Sequence, residues 1–460
     1  MTLKNKDQNK PDSDIARGKA RLLDAIPDES RRSFLRVAMA NGVAAPIALA
    51  SMSGSAKAAP FEESPQTGKS GLANGGAGQD AAQHSAVPVN RAGVIIRDFA
   101  DPYLELLRLL REGAEVEHCA MLQYLYGAAT IKDSYMPLTG FGAPNSRDLL
   151  GVAVQEMQHL GAANRLLVAL GACPHLDRVD FPYEPDLFPF SFELEPFTRK
   201  AIAKYAYCEG PAEMFSEGVQ RSAEDQHFRD SIIADIAGLE RPNHVGSLYN
   251  NILDLLEECS GRPGFPLTPE EVDQWIEGLK LVMDEGEEDH FEFFRDVYEG
   301  RHPAFANAGV DNIWDLPSDH EAYPVIEVPK NPTAYIGHAN QIPEGAAQSL
   351  GWLGNLHYWI SLALLDYSYR YDDKPSWDAS VAQMMTGLWP LALEMPKHGA
   401  GMPYDALSMG YAFGKGREEN RRIILALANE AKLFSRTIEQ HLPARYNAEN
   451  TAAVIDAMAG

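Results

Sequence analysis

The sequence has few of the features that mark disulfide-stabilised or membrane-spanning proteins. It contains 4 cysteines in 460 residues, and they show no C-x-x-C spacing, so neither a disulfide framework nor a cysteine-based zinc site is indicated. Individual disulfides and buried free thiols both stay open, and free thiols are at least as well supported. An apolar run near the start, residues 37–52, is interrupted by Asn41, Gly42 and Pro46 and is too short to span a bilayer comfortably.

The chain also has fewer basic than acidic residues, and its β-strand signals are sparse. Its formal net charge is −25, which argues against nucleic acid and against anionic membrane surfaces as partners. The hydrophobic content of 45% is enough for a substantial core. Apolar residues recur mostly at three- and four-residue steps, which predicts an all-α protein.

The first 59 residues have the features of an export signal. Arg31 and Arg32 precede the weak apolar run, and Ala56-Lys57-Ala58 provides a cleavage site of the Ala-x-Ala type. This pattern predicts a twin-arginine signal over residues 1–59, with the twin-arginine translocase as a transient partner and a periplasmic or otherwise exported product. The following residues, 60–92, are rich in Gly, Ala, Ser and Gln and are expected to form a disordered linker.

Helical periodicity begins after the linker and continues almost to the end. We predict a bundle over residues 93–300 and a C-terminal helical extension over 301–460 that packs on it. The predicted long bundle helices cover 102–131, 146–170, 242–259 and 268–298, with shorter helical segments at 200–209 and 211–220. Further helices are predicted at 349–369, 380–393 and 418–441.

Several of these helices carry acidic residues on their apolar faces. Glu117 lies on the apolar face of the first long helix, while Glu156 with His159 and Glu287 with His290 form Glu-x-x-His pairs on two others. A carboxylate buried without a partner costs several kcal/mol or more, so it must be paired, protonated or bound to a metal. Residues three apart on a helix project to the same side, so each pair can bind one ion.

This pattern matches the ligand rule of ferritin-like bundles that bind two iron or manganese ions. Such bundles use Glu-x-x-His on two helices and one Glu from each of the other two. Counting residues outward from the second helical hairpin places the remaining ligand near residue 241, where Glu240 and His244 are both candidates. A buried network of hydrogen bonds is the alternative interpretation of the whole set.

The order and spacing of longer motifs resemble a known ferritin-like family, named for the iminophenyl-pyruvate dimer synthases. The resemblance covers about residues 95–445 and rests on EVEHCAMLQYL, QEMQHLGAANRLLVALGACPHL, YCEGP, HVGSLY, EGEEDHFEFF and YPVIEVPKNP. It implies a ferritin-like four-helix bundle with additional C-terminal helices. The metal ligands that it implies are Glu117, Glu156, His159, Glu209, Glu287 and His290, with Glu285 as the alternative to Glu287.

The predicted function is that of a dimetal oxidoreductase that activates oxygen or peroxide on a small organic substrate. Tyr124 is the candidate catalytic residue, with core packing as its alternative role. Trp352, His357, Tyr358 and Trp359 could wall a pocket over the site, and ordinary packing is their equal alternative. Two further functions stay open: a protective catalase-like or iron-handling protein, and a module that has lost its metal. The sequence leaves open the substrate, the choice between iron and manganese, and whether the protein forms a homo-oligomer.

Overall fold

The structure is a computed structural model. It describes residues 86–88, 94–142, 144–183, 188, 190–216, 218–236, 245–407, 416–448, 451, 454 and 458. The predicted export signal lies outside these residues, as do Glu240 and His244 and most of the predicted linker. Within the linker the structure describes a short strand, β1 (Ala86–Pro88), which pairs antiparallel with β2 (Val94–Ile96).

The rest of the described chain is mostly helical, which confirms the predicted fold class. The helices up to residue 300 are α1 (Pro102–Ala129), α2 (Met136–Thr139), α3 (Leu149–Ala169), α4 (Arg199–Glu209), α5 (Ala212–Phe215), α6 (Ala223–Asp235), α7 (Val245–Cys259), α8 (Pro269–Asp284) and α9 (Phe291–Tyr298). The C-terminal helices are α10 (Ala346–Tyr371), α11 (Lys374–Ala382), α12 (Trp389–Glu394) and α13 (Arg417–Thr437).

Side-chain caps explain where two of the long bundle helices begin. The Asp101 carboxylate accepts hydrogen bonds from the backbone N–H groups of the first turn of α1, and Pro102 occupies the first helical position. Thr268 and Glu271 form a reciprocal capping box at the start of α8. Each cap satisfies backbone donors that the helix itself cannot pair.

Packing joins these helices around a common core. Helix α1 packs against α3 and α7, α7 packs against α8, and α4 packs against α9. The short helix α4 enters the bundle beside the long ones because its residues from Ala201 to Glu209 are all buried. No helix in the described part of the chain combines the length and apolar character needed to cross a membrane.

Two predicted helices contain π-helical segments that the sequence pattern did not reveal. Between α8 and α9 the backbone follows a π-helix over Glu285–His290, and between α11 and α12 it does so over Gln383–Leu388. A π-turn inserts an extra residue and changes which side chains face the core, and such turns are frequent at functional sites. The first of these segments carries two of the predicted ligands.

The four cysteines are free thiols, and three of them are buried. This agrees with the interpretation that the chain has no disulfide framework. Cys208 lies at the end of α4 and precedes Glu209, while Cys119 lies in α1, two residues after Glu117. Burial raises the pKa of both thiols, so they are weak nucleophiles in this structure.

Candidate metal centre

Five acidic and histidine side chains from four parts of the bundle meet in its core. Glu117 comes from the middle of α1, Glu156 and His159 come from α3, Glu209 is the last residue of α4, and His290 ends the first π segment. All five are buried, and each is at most 5% exposed. The structure therefore places five of the six predicted metal ligands at one depth in the bundle.

These residues form two groups that share one carboxylate. The first group is Glu117, Glu156 and His159, and the second is Glu156, Glu209 and His290. Within each group one potential ligand atom per residue lies within 4.8 Å of the others. Among the described residues these are the groups of this kind that could hold a metal ion.

The two oxygen atoms of Glu156 face different histidines. Its Oε2 lies 3.3 Å from His159 Nδ1, and its Oε1 lies 2.9 Å from His290 Nδ1. Glu117 Oε2 is 3.7 Å from His159 Nδ1, and Glu209 Oε2 is 3.7 Å from His290 Nδ1. Glu156 thus lies between the two groups, with one outer carboxylate and one imidazole on each side.

The geometry fits convergence on ions better than a closed hydrogen-bond network. Neither ring nitrogen of His290 makes a hydrogen bond within the described chain, although Nδ1 is only 2.9 Å from the Glu156 carboxylate. Glu156 Oε1 is likewise without a hydrogen bond there. These atoms are buried and close together, but they are poorly aligned for hydrogen bonds to one another. Such an arrangement is expected where all of them point towards a common ligand.

The electrostatics of the metal-free centre show how strongly its groups interact. Burial raises the pKa of Glu117 to about 8. Burial also opposes ionisation of Glu156, but His159 and His290 outweigh it and hold the pKa of this carboxyl well below its usual range. For His290, burial would lower the pKa, but Glu156 and Glu209 raise it to about 10. A divalent cation would take over the charge balance that these protons provide.

Two tyrosines hold the outer carboxylates. Tyr124 donates a hydrogen bond of 2.5 Å to Glu209 Oε1, and Tyr249 donates one of 2.5 Å to Glu117 Oε1. Tyr124 is the predicted catalytic residue, and here it is buried core that also contacts a candidate ligand. Tyr249 was missed by the sequence analysis; the only signal was its position on the apolar face of α7. Such partners orient metal ligands and tune their basicity.

Replacing Tyr249 by Phe should weaken metal binding without unfolding the protein. The change leaves Glu117 in place but removes the hydrogen bond that orients it, and losses of this kind lower metal affinity by about 10- to 100-fold. Competition with a coloured chelator would measure the affinity. Tyr298→Phe is the matched control, because Tyr298 is equally buried but donates its hydrogen bond to Asp235. Equal affinities in the two variants would contradict the assigned role.

The sixth predicted ligand, Glu287, lies at the edge of the centre. It lines the cavity beside the two groups but belongs to neither of them. Glu285, its alternative, is in contact with the first group, since its Oε2 lies 3.1 Å from His159 Nε2. The π segment that carries both residues brings Gly286 so close to Glu209 that an added Cβ would lie 3.0 Å from its Oε2.

The centre opens into a small cavity with room for a molecule about the size of water. A second cavity continues from it past Glu209 and is lined by aromatic side chains that include Tyr124, Tyr183, Phe188 and Phe192. Val116, Ala120, Cys208, Glu209 and Val245 line both cavities. The aromatic side of this space comes from the proline- and phenylalanine-rich passage after α3, not from the C-terminal helices.

The predicted aromatic wall from the C-terminal extension is wrong, because those side chains pack elsewhere. None of Trp352, His357, Tyr358 and Trp359 lines the cavity at the centre in the described part of the chain. The ring nitrogens of His357 lie near Gln383 and Tyr446, and Trp359 donates to the backbone of Asp405. The Tyr358 hydroxyl lies 2.7 Å from His118 Nε2, which joins the extension to α1.

Comparisons with known proteins agree with this architecture. A family model described as ferritin-like matches residues 110–272. The chain is 30% identical to dichlorochromopyrrolate synthase from Lentzea aerocolonigenes over 171 residues, which are 30% of this chain and 17% of that protein. It is 27% identical to 2-imino-3-(indol-3-yl)propanoate dimerase from Chromobacterium violaceum over 212 residues, 40% of this chain and 21% of that protein.

The matched region is therefore less than a quarter of the length of either relative. No solved structure gave a significant match. The family match and the buried Glu and His groups together support a metal site in the bundle, and the relatives are enzymes of the type implied by the sequence motifs. A ferritin-like family model thus matches residues 110–272, and parts of this chain are similar in sequence to parts of these two enzymes.

Proposed function

We propose that this protein is an oxidoreductase whose bundle binds two ions of iron or manganese and activates oxygen or peroxide on a small organic substrate. The observation that carries the proposal is the position of Glu156, whose two oxygens each face a different histidine. One outer carboxylate on each side completes two ligand groups around it. Carboxylates and imidazoles of this kind suit both iron and manganese.

In this proposal Glu117, Glu156, Glu209, His159 and His290 hold the ions, and Glu287 can complete the set from the cavity wall. The bound ions would supply redox chemistry and open positions for oxygen or peroxide. The protein contributes the rest: its buried walls exclude water, and Tyr124 and Tyr249 hold the outer carboxylates in place. Because burial raises the pKa of both tyrosines, each remains protonated and keeps donating its hydrogen bond.

The lining of the adjoining space favours a substrate with an apolar part. The cavity at the centre itself admits little more than a water-sized molecule, which suits oxygen or peroxide. The cavity beyond Glu209 is also small, but its aromatic lining favours an apolar group at this position. The names of the two relatives, a synthase and a dimerase, favour a role in small-molecule chemistry over iron storage.

Oxygen consumption by the metal-loaded protein provides the test. We expect purified protein to contain about two ions of iron or manganese per chain and to consume oxygen or peroxide faster when a suitable small reductant or aromatic substrate is present.

The second candidate, a protective catalase-like protein, is favoured by the small inner cavity. It would release oxygen from peroxide with no organic substrate. Less than about 0.2 ion per chain after expression with both metals would remove both functions.

We further propose that the protein is exported in folded form by the twin-arginine translocase. The supporting observation is the sequence around Arg31 and Arg32, which lies outside the described residues. This pathway carries folded proteins, so a metal buried as deeply as this one would be inserted before export. The substrate would then be encountered outside the cytoplasm.

Changing Arg31 and Arg32 together to lysine should abolish export. The substitution keeps the charge of the leader but removes the paired guanidinium groups that define the signal. Cell fractionation followed by immunoblotting should find the variant in the cytoplasm, with its metal content unchanged. Changing Lys4 and Lys6 to arginine is the matched control and should leave export intact. Normal export of the first variant would contradict this proposal but not the metal centre.

A further inference from the structure

A third cavity lies between the bundle and the C-terminal extension, away from the metal centre. Its volume is about 670 Å³ including its mouth, and it shares no lining residue with the cavity at the centre. Helices α1 and α3 form one side, and α10, α11 and the second π segment form the other. The lining residues are Met121, Val154, Met157, Leu160, Tyr358, Ser361, Leu362, Leu365, Tyr369, Trp377, Ser380, Val381, Met384 and Met385.

The lining is almost entirely apolar and is built from adaptable side chains. Four of the lining residues are methionines, whose flexible thioethers fit ligands of different shapes and make favourable contacts with aromatic rings. Met384 and Met385 come from the second π segment, so an irregular backbone turn directs them to this space. The two serines of the lining already donate their hydroxyl hydrogens to backbone carbonyls. The body of any ligand here would therefore be apolar.

An arginine with no anionic partner in the described part of the chain lies close to Tyr369, which lines this cavity. Arg165 follows Gly161 by one turn of α3, and a Cβ placed on Gly161 would lie 3.2 Å from an Arg165 guanidinium nitrogen and 3.1 Å from the Tyr369 hydroxyl. Both groups therefore converge on the same point, and Tyr369 also lines the cavity. Among the described residues, Arg165 makes neither a hydrogen bond nor an ion pair.

This arginine is unusual in a protein with a net charge of −25. Burial lowers the pKa of the guanidinium, and the Tyr369 phenol is the one ionisable group that acts on it in the opposite direction. Arg165 is partly buried, so its guanidinium is less well solvated than a free one, and a bound anion would offset that loss through charge-assisted hydrogen bonds. One guanidinium carries a single positive charge, which balances a carboxylate but not a phosphate with two negative charges.

We propose that this cavity is a binding site for a small apolar carboxylate, whose acid group is held by Arg165 and Tyr369 and whose chain or ring lies among the methionines. The site is separate from the metal centre, although both lie along α3: Met157 faces the cavity and follows the bridging Glu156 directly. Occupancy would also fill space between the bundle and the extension. It should therefore stabilise the contact between them.

Titration calorimetry with the full-length, metal-loaded protein tests the site. The probes are hexanoate and 3-phenylpropanoate, which separate an aliphatic from an aromatic ligand, each with its neutral amide. We expect at least one acid to bind, and its amide to bind with an affinity at least about tenfold lower. Arg165→Met should lower the affinity for the acid by a similar factor. Arg111→Met is the control, because Arg111 is an exposed arginine on α1 whose loss should not change binding.

A second variant tests the cavity independently of the arginine. Val381→Phe would fill part of the apolar space and should also abolish binding, while circular dichroism and metal content confirm that it is folded. The inference is overturned if neither acid binds at about 10 mM, if acid and amide bind equally, or if Arg165→Met keeps its affinity. None of these results would bear on the proposed oxidoreductase activity, which depends on other residues.

Discussion

Glu156→Gln should reduce the metal content from about two ions per chain to under about 0.2. The substitution keeps the volume of the side chain, so the core remains filled. It removes the negative charge that both ligand groups share, because Glu156 faces His159 with one oxygen and His290 with the other. Elemental analysis after gel filtration would measure the loss. Chelator should lower the Tm of the wild type, by the linkage of binding to folding, but leave that of the variant unchanged.

Glu105→Gln is the matched control for this experiment. Glu105 lies on the same bundle as Glu156 and is equally buried, but it pairs with Arg108 and accepts backbone hydrogen bonds near the start of α1. Its substitution should cost stability and leave the metal content at the wild-type level. Retention of metal by Glu156→Gln, or an equal loss in both variants, would contradict a bridging role for Glu156.

Phe294→Ala should destabilise the protein by about 3–5 kcal/mol. Phe294 is fully buried in α9 and packs against the rings of Tyr124 and Tyr205, with ring centroids 5.1 Å and 5.4 Å away. The change leaves a cavity directly behind the tyrosine that holds Glu209. Since domains are commonly stable by only about 5–15 kcal/mol, this is a large fraction of the total. Chemical denaturation monitored by circular dichroism would measure it.

Phe99→Ala provides the comparison for that loss. Phe99 is 43% exposed before α1, so its truncation should change the free energy of unfolding by less than about 0.5 kcal/mol. Phe294→Leu keeps most of the apolar volume, so its loss in free energy of unfolding should lie between those of Phe294→Ala and Phe99→Ala. A loss under about 1 kcal/mol for Phe294→Ala would show that this part of the core is not packed as described.

The helical architecture could be predicted because its signals are local. The spacing of apolar residues predicts helices from residues 102 and 268, and the structure begins α1 at Pro102 and α8 at Pro269, where Asp101 and Thr268 cap them. Glu117, Glu156 and His159 could be recognised for a similar reason: polar residues interrupt apolar faces of regular helices, and the face of a regular helix follows from its period.

The remaining parts of the site depend on features without a local pattern. The π-turn before α9 shifts the side chains around Glu285 and Glu287, and an ideal helical period cannot predict which of them approaches His159. Glu209 reaches the centre from a short helix, and only the family resemblance pointed to it, while hairpin counting favoured residues outside the described range. Tyr249 could not be found because a buried tyrosine on an apolar face resembles ordinary core.

The C-terminal aromatic residues illustrate a different limit. A run containing Trp352, Tyr358 and Trp359 has the composition of a substrate pocket, but composition does not show what a helix packs against. In the structure Trp352 and Trp359 pack against each other within the extension, and Tyr358 contacts His118. The aromatic wall near the centre instead comes from an irregular passage after α3, where periodicity carries no information.

Anomalous X-ray diffraction from crystals of the metal-loaded protein, recorded at the iron and manganese absorption edges, tests the central claim most directly. We expect two peaks, one among Glu117, Glu156 and His159 and the other among Glu156, Glu209 and His290. Glu156 should contact both. Crystals grown from protein supplied with both metals that show no peak between these side chains would contradict the assignment of a dimetal centre.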